Sequence, residues 1–370
     1  MTSRSSNAVQ TNGDAYDQSD GAGGEAAPEQ KKIWKNKTWP KVALATSPTP
    51  PAVFQAPELR RSAFFADDWN IIFKSDVEAA LSQLIASKLH VDCIVTSPPF
   101  YGQRDYGVDG QIGLELHPKQ YIETLVRVFA KCAEILKPTG SLWVNLGDTY
   151  WSGRGQHRSG EKKQSARRFG LRPQDRKGDG IWCRPKQLLL IPHRFAIAMQ
   201  DAGWIVRNDN VWVKPNPIPD QVRDRCSMSH EYVFHFVRQR FYFFNRDAVG
   251  RPSTGKAKLP PLDTWSVPPT RGLNGHKAAF SEELVDTPIR ATTPPGGVVL
   301  DPFAGSGTTL VHAKREGFRS VGIDLKKEYC DIVRRAVLAE TPGQSGAQVK
   351  AVNGARAPHT HRGLKHPKNG

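Results

Sequence analysis

Long apolar runs and paired cysteines are both missing from this chain of 370 residues. No stretch approaches the continuous apolar length that a bilayer requires, so we expect no membrane span. The five cysteines are odd in number, widely spaced and without a Cys-x-x-Cys pair, so neither a disulfide framework nor a metal site is predicted. Residues 1–27 lack the charged and then apolar plan of a secretory signal. We therefore expect a cytoplasmic protein.

Acidic residues are too few to balance the basic ones. The 52 lysines and arginines exceed the 36 aspartates and glutamates, and the formal net charge is +16. Such a surplus favours a nucleic-acid partner, although a merely basic soluble protein has the same composition. Part of it falls in residues 341–370, which we expect to form a disordered basic tail. Another part falls in an insertion loop at 152–179, with candidate nucleic-acid contacts at Arg154, Arg158, Lys162, Lys163, Arg167 and Arg168.

Apolar runs that fit buried strands alternate with stretches of helical periodicity. Val91–Thr96 is one such run, and helical spacing follows at 121–136. This alternation predicts an α/β protein with a doubly wound, mostly parallel sheet. Residues 1–55 are polar and then Pro-rich, which predicts a disordered arm. The other expected elements are strands at 141–146, 204–213, 231–237, 298–301 and 320–324, a hairpin return arm at 241–244, and helices at 185–202, 308–316 and 326–339.

A glycine turn, Asp301-Pro302-Phe303-Ala304-Gly305-Ser306-Gly307-Thr308-Thr309, lies between an expected strand and an expected helix. Its glycines allow a ligand to approach the backbone, and the helix amino terminus offers N–H groups to an anion. The next expected strand ends at Asp324, where nucleotide-type folds hold ribose hydroxyls. The alternatives are a plain tight turn and a dinucleotide site, but the spacing is not the Gly-x-Gly-x-x-Gly of dinucleotide sites and Asp301 precedes the turn.

A second candidate site is the turn Ser97-Pro98-Pro99-Phe100, which follows the strand Val91–Thr96. The prolines fix a rigid turn at a strand end, so that the Pro98 carbonyl and the Ser97 hydroxyl present two acceptors beside the Phe100 ring. Taken alone, Ser-Pro-Pro is a common way to begin a loop.

Together the two turns resemble motifs of the amino-group DNA methyltransferases. The run 301–309 is similar to that family's S-adenosylmethionine loop. The run 95–100 is similar to its catalytic motif, in the Thr-Ser-Pro-Pro-aromatic form typical of enzymes that act on cytosine N4. The stretches 140–150, 211–217 and 229–232 resemble its intervening blocks. Because the catalytic turn precedes the cofactor loop, the chain looks like the circularly permuted β group.

This resemblance implies a Rossmann-like fold with S-adenosylmethionine as cofactor and double-stranded DNA as substrate. Ser97 and the Pro98 carbonyl would hold the exocyclic amine of a flipped base, in the rigid turn that Pro99 completes, and Phe100 would stack on that base. Asp324 would hold the ribose and Asp76 would contact the adenine of the cofactor. The full set of expected cofactor contacts is Asp76, Asp301, Phe303, Gly305, Ser306, Gly307, Thr308 and Asp324.

The same resemblance divides the chain. It implies a methyltransferase domain at 56–340, with a catalytic half at 69–237, a candidate target-recognition region at 238–273 and a cofactor half at 274–340. Arg238 and Arg240 are further candidate DNA contacts. The resemblance also suggests a bacterial or phage source and a cognate restriction endonuclease that acts separately.

Three rival functions follow from the motifs. Adenine N6 methylation is the nearest, although its enzymes more often carry Asp-Pro-Pro-Tyr where this chain has Ser97. Cytosine C5 methylation needs a cysteine nucleophile in a Pro-Cys turn, and the chain contains no Pro-Cys dipeptide. A catalytically silent DNA-binding protein on the same fold is the rival from another class, and the intact turns argue against it.

Overall fold

The structure, a computed structural model, describes residues 52–153, 173–217, 222–255, 257–269 and 281–344. The six basic residues predicted within 154–168 lie outside this range, as does most of the expected arm and tail. Residues 52–55, which we assigned to the arm, instead form a 3-10 turn in which Phe54 is fully buried. Among the described residues, no helix has the length and apolar character needed to cross a bilayer.

The described residues contain eight helices and nine strands. The helices are α1 (Pro57–Ser62), α2 (Val77–Ala86), α3 (Pro118–Ile135), α4 (Ile191–Asp201), α5 (Arg246–Val249), α6 (Glu282–Thr292), α7 (Thr308–Arg315) and α8 (Lys327–Ala339). The strands are β1 (Phe65–Ala66), β2 (Asn70–Lys74), β3 (Val91–Thr96), β4 (Leu136–Leu146), β5 (Ile205–Val213), β6 (His230–Val237), β7 (Thr264–Ser266), β8 (Val298–Asp301) and β9 (Arg319–Asp324).

All nine strands belong to one sheet in the order β1-β2-β9-β8-β3-β4-β6-β5-β7. Strands β2, β9, β8, β3 and β4 are mutually parallel, and β6 joins β4 in the antiparallel sense. The predicted α/β fold with a mostly parallel sheet is therefore confirmed.

Helices cover both faces of this sheet because successive strand residues point to opposite sides. In β3, Ile94 packs with the cluster that contains Leu125 of α3, whereas Cys93 and Val95 pack with the cluster that contains Ile289 of α6. Burial on both faces explains why β3 reads as a continuous apolar run.

Local sequence accounts for α3, the longest described helix. Pro118 occupies its first turn, where a missing N–H costs nothing. The His117 side chain accepts from the Lys119 N–H at 3.1 Å, and the Gln120 side chain accepts from the His117 N–H at 3.2 Å. This reciprocal capping starts the helix directly after the loop that carries the Ser-Pro-Pro turn.

The direction of the strand order reverses between β3 and β8. The chain goes from β8 to β9 on one side and from β3 to β4 on the other. Open α/β sheets bind ligands at such a switch point, outside the carboxyl ends of the strands. The Ser-Pro-Pro turn follows the carboxyl end of β3, and the glycine turn follows the carboxyl end of β8.

Two expected elements were wrong. Helix α4 begins at Ile191 rather than near 185, because Lys186 and Leu190 adopt left-handed φ values of +71° and +55°, and Leu188 between them is bridged to Tyr150. The return arm expected at 241–244 is not a strand. Both edges of β6 are already paired, one with β4 and the other with β5, which leaves no edge for a further partner.

Candidate active site

A cavity of about 470 Å³ opens at the carboxyl edge of the sheet, a size suited to a small-molecule cofactor. Both turns line it. The predicted site residues found in its wall are Asp76, Ser97, Pro98, Pro99, Phe100, Asp301, Phe303, Gly305, Ser306, Thr308 and Asp324. Gly307 is outside the wall. It begins α7 at a φ of +85° and packs against Val333, where an added Cβ would come within 2.9 Å.

Asp301 joins the two turns. Its carboxylate accepts from the Thr96 hydroxyl at 2.6 Å, from the Thr309 hydroxyl at 2.7 Å and from the Phe303 N–H at 3.0 Å. Burial raises the pKa of Asp301 to about 6, and the two hydroxyls oppose that rise. The end of β3, the glycine turn and the first turn of α7 are thus held to one carboxylate.

Asp324 lies on the other side of the glycine turn. Its Oδ2 accepts from the Gly305 N–H at 2.9 Å and its Oδ1 from the Lys326 N–H at 2.8 Å. Burial raises the pKa of Asp324 to about 6, to which the neighbouring charge of Asp301 adds. The arrangement keeps a carboxylate at the cavity wall, where it can accept from the hydroxyls of a sugar.

The surroundings of Asp324 suit S-adenosylmethionine. Gly305 has a φ of +52° and its missing Cβ faces open space, with nothing nearer than the Phe303 carbonyl at 3.8 Å, so a ligand can approach this backbone closely. Gly307 offers no side chain to cap the amino terminus of α7, whose N–H groups can bind the carboxylate of an amino acid. Apolar and aromatic wall residues provide a surface for adenine, namely Val77, Phe303, Ile323, Leu325 and Tyr329.

Asp76 lies in the cavity wall and also caps the amino terminus of α2. Its Oδ1 accepts from the Glu78 and Ala79 N–H groups at 2.9 and 3.1 Å and so caps α2. Both bonds use the same oxygen atom, and a carboxylate has four acceptor positions. The predicted contact with the cofactor adenine is compatible with this cap.

The Ser-Pro-Pro turn is held rigidly from outside the cavity. The buried Tyr121 of α3 donates its hydroxyl to the Pro99 carbonyl at 2.8 Å. The half-buried Phe100 ring lies against Gly147, where an added Cβ would come within 2.7 Å of ring atom Cε2. Only a residue without a side chain lets the ring take this position.

Three residues beside Ser97 were not assigned a role from the sequence. The Ser97 hydroxyl donates to Asn145 Oδ1 at 3.0 Å, and Asn145 Nδ2 donates to Glu231 Oε2 at 3.0 Å. Glu231 in turn forms an ion pair with Lys214. All three lie in the stretches that resembled the family's intervening blocks, which is the signal that could have pointed to them.

Arg238 and Arg240 are not brought to the cavity. Both residues follow the end of β6. The last residue of β6, Val237, pairs with Ser141 of β4. On its other side Ser141 pairs with Cys93, which lies near the start of β3. Because β6 runs antiparallel to β4, its end lies at the edge of the sheet opposite the cavity. Arg238 donates to the Ala133 carbonyl there. These two residues therefore do not lie beside the cavity, and their contact with DNA stays a prediction.

Cys93 lies in β3, with its side chain on the face of the sheet that α6 covers. Its sulfur is 3.2 Å from the Thr292 hydroxyl of α6, and burial raises the pKa of this thiol to about 12. A thiol in this setting stays protonated and cannot reach the cavity.

Comparison with known proteins identifies the family. Residues 91–335 match the DNA methylase family. The Type II methyltransferase M.Cfr9I of Citrobacter freundii is 41% identical over 261 residues, which cover 70% of this chain and 85% of that protein. M.SmaI of Serratia marcescens, also a Type II methyltransferase, is 38% identical over 253 residues, which cover 67% of this chain and 84% of that protein.

The fold matches that of a solved structure. PvuII DNA methyltransferase, described as cytosine-N4-specific, aligns with a TM-score of 0.50 at 19% identity, over 74% of this chain and 94% of that one. At this identity the match concerns the fold alone. The family match over 91–335 and the two relatives show that the chain belongs to the DNA methylase family of Type II amino methyltransferases, and S-adenosylmethionine is its methyl donor.

Proposed function

We propose that this DNA methyltransferase acts on the N4 amine of a cytosine flipped out of double-stranded DNA. The proposal rests on Ser97, which lies in the cavity wall. It offers a hydroxyl at the position where adenine N6 enzymes more often have a carboxylate. Its relatives are Type II methyltransferases, which supports a protective role beside a separately acting endonuclease.

An exocyclic amine is a poor nucleophile because its lone pair is delocalised into the ring. Two acceptors at the amine, the Ser97 hydroxyl and the Pro98 carbonyl, would bind its hydrogens and favour a pyramidal nitrogen. The bound cofactor supplies an electrophilic methyl group. Once methylated, the nitrogen becomes acidic and loses its proton without a strong base. The protein therefore contributes orientation and electrostatic stabilisation.

The cavity extends past the Ser-Pro-Pro turn on the side away from Asp324. Its wall there contains Trp212, Lys214, Pro217, Met228, Glu231 and Pro269. A flat aromatic base entering from DNA would find apolar wall residues beside the ion pair of Lys214 and Glu231, with the two acceptors at the end of the slot. Phe100 would stack on that base, so its role would concern the base more than the cofactor.

Replacing Gly147 tests the position of the Phe100 ring. The Gly147→Ala variant is expected to lower the transfer rate constant about 10-fold, because the new methyl group must displace the Phe100 ring from its place beside the acceptors. S-adenosylmethionine affinity should stay unchanged. Single-turnover kinetics and calorimetric titration with the cofactor measure the two quantities, and a normal rate constant would contradict the assigned ring position.

Cofactor binding should depend on pH through Asp324. The pKa of this carboxyl is about 6, and only the ionised form offers all its oxygens to the ribose hydroxyls. Affinity is therefore full well above pH 6 and falls as the pH drops through this value, by at most about tenfold per pH unit. Titrations between pH 7.5 and 5 measure this. Asp324→Asn should bind weakly with a shallower pH dependence, and an identical slope in wild type and variant would exclude Asp324 as its source.

Mapping modified bases in DNA from cells that express the protein tests the proposed base. N4-methylcytosine at one recurrent sequence is the expected result. Modification confined to N6-methyladenine would replace the cytosine proposal with its nearest rival.

A further inference from the structure

A line of polar contacts leads from the Ser97 hydroxyl into the sheet. Asn145 is buried near the end of β4, Glu231 lies near the start of the neighbouring β6, and Lys214 directly follows β5. Antiparallel pairing of β6 with both β4 and β5 brings the three residues together. Asn145 is polar at a place where its strand neighbours Val144 and Leu146 are buried.

The partners of Asn145 determine which way its amide faces. Its side chain meets Glu231 Oε2 at 3.0 Å and the Tyr232 carbonyl at 3.1 Å. The carboxylate of Glu231, paired with the Lys214 ammonium, and the backbone carbonyl are both acceptors only. Both must therefore face the amide nitrogen, which leaves Oδ1 of Asn145 for Ser97.

This orientation determines the role of the hydroxyl. Oδ1 of Asn145 can only accept, so the Ser97 hydroxyl must direct its hydrogen to it, at 3.0 Å. The lone pairs of Ser97 are then left for the cavity. If the amide were free to turn over, its NH2 group would compete for those lone pairs and the hydroxyl could present its hydrogen to the base.

We infer that Glu231 and Asn145 are positioning residues that keep Ser97 an acceptor toward the target amine. The inference rests on the proposed function of Ser97. Because an amide does not take up a proton, this chain of contacts orients the hydroxyl and does not carry the amine proton away from it. Lys214 fixes the carboxylate of Glu231 and so completes the arrangement.

The test exchanges the hydrogen-bond donor and acceptor between positions 145 and 231, so that residue 231 donates and residue 145 accepts. Asn145→Asp places a carboxylate against the Glu231 carboxylate and the Tyr232 carbonyl, and is expected to slow single-turnover transfer about 100-fold. The double variant Asn145→Asp/Glu231→Gln is expected to recover about 10-fold of that loss. The glutamine can donate to the new aspartate while its carbonyl oxygen still accepts from Lys214.

Controls separate positioning from folding. Cofactor affinity should be similar in wild type, Asn145→Asp and the double variant, and all rates are measured well below the melting temperature of Asn145→Asp, which its buried pair of carboxylates lowers. Glu340→Gln removes the charge of another half-buried glutamate, which pairs with Arg315 far from the cavity, and should transfer at the normal rate.

The outcomes are distinct. Recovery in the double variant with unchanged cofactor affinity supports the inference. If Ser97→Ala is slow but Asn145→Asp is as fast as wild type, the positioning inference is overturned and the role of Ser97 stands. If Ser97→Ala itself transfers normally, the proposed function of Ser97 fails. If the double variant is no faster than Asn145→Asp and both melt early, the two residues serve the fold alone.

Discussion

The Ser97→Ala variant is expected to lower the rate constant of methyl transfer by about 10²- to 10³-fold and to leave S-adenosylmethionine affinity within about twofold. The hydroxyl lies at the cavity wall and is held by Asn145. Its removal takes away one of the two acceptors that orient the amine, and the Pro98 carbonyl remains. Among the described residues, the Ser97 hydroxyl bonds to Asn145, and it has no hydrogen bond to the glycine turn or to Asp324. Rapid-quench single turnovers and calorimetric titration measure the two effects.

A matched serine serves as the control for this variant. Ser87 ends α2, and its hydroxyl donates to the Leu84 carbonyl at 2.8 Å, away from the cavity wall. Ser87→Ala should transfer methyl groups at the wild-type rate. Equal losses of transfer and cofactor affinity in Ser97→Ala would show instead that Ser97 supports the cavity as a whole.

The second large effect is expected from Asp324→Ala, which should weaken S-adenosylmethionine binding about 10- to 100-fold. The change removes the acceptor for the ribose hydroxyls and leaves the Gly305 and Lys326 N–H groups without their partner. The glycine turn should then lose its fixed position beside the cofactor. At saturating cofactor, the transfer rate constant should recover most of its normal value, because the Ser-Pro-Pro turn is untouched.

Two further variants make this result specific. Asp324→Asn retains one acceptor oxygen and should fall between wild type and Asp324→Ala in affinity. Asp331→Ala removes an aspartate of α8 that pairs with Lys327 at the surface, and it should bind the cofactor normally. A wild-type dissociation constant in Asp324→Ala would contradict the role given to this carboxylate.

The sequence is informative where structure depends on residues close in the chain. The strand predicted at Val91–Thr96 has those bounds in the structure, since its apolar run ends at two prolines that cannot extend a paired strand. The glycine turn likewise lies between β8 and α7, as expected. The α/β alternation then brings both turns to one edge of the sheet, where they line the same cavity.

The sequence is less informative where structure depends on strand direction and distant pairing. The contact between Ser97 and Asn145 spans 48 positions, and that between Asn145 and Glu231 spans 86. Both follow from the antiparallel placement of β6 beside β4, which no local pattern reveals. The same strand direction places Arg238 at the wrong edge for the cavity. The roles of the individual site residues stay predictions until the variants are measured.

The identity of the methylated base is the most direct test. Purified protein would be incubated with double-stranded DNA and S-adenosylmethionine carrying an isotopically labelled methyl group, and the digested nucleosides would be separated and identified by mass spectrometry. We expect the label in N4-methyldeoxycytidine, and a Ser97→Ala preparation should transfer almost none of it. Label found only in N6-methyldeoxyadenosine would contradict the assignment of cytosine N4 as the target.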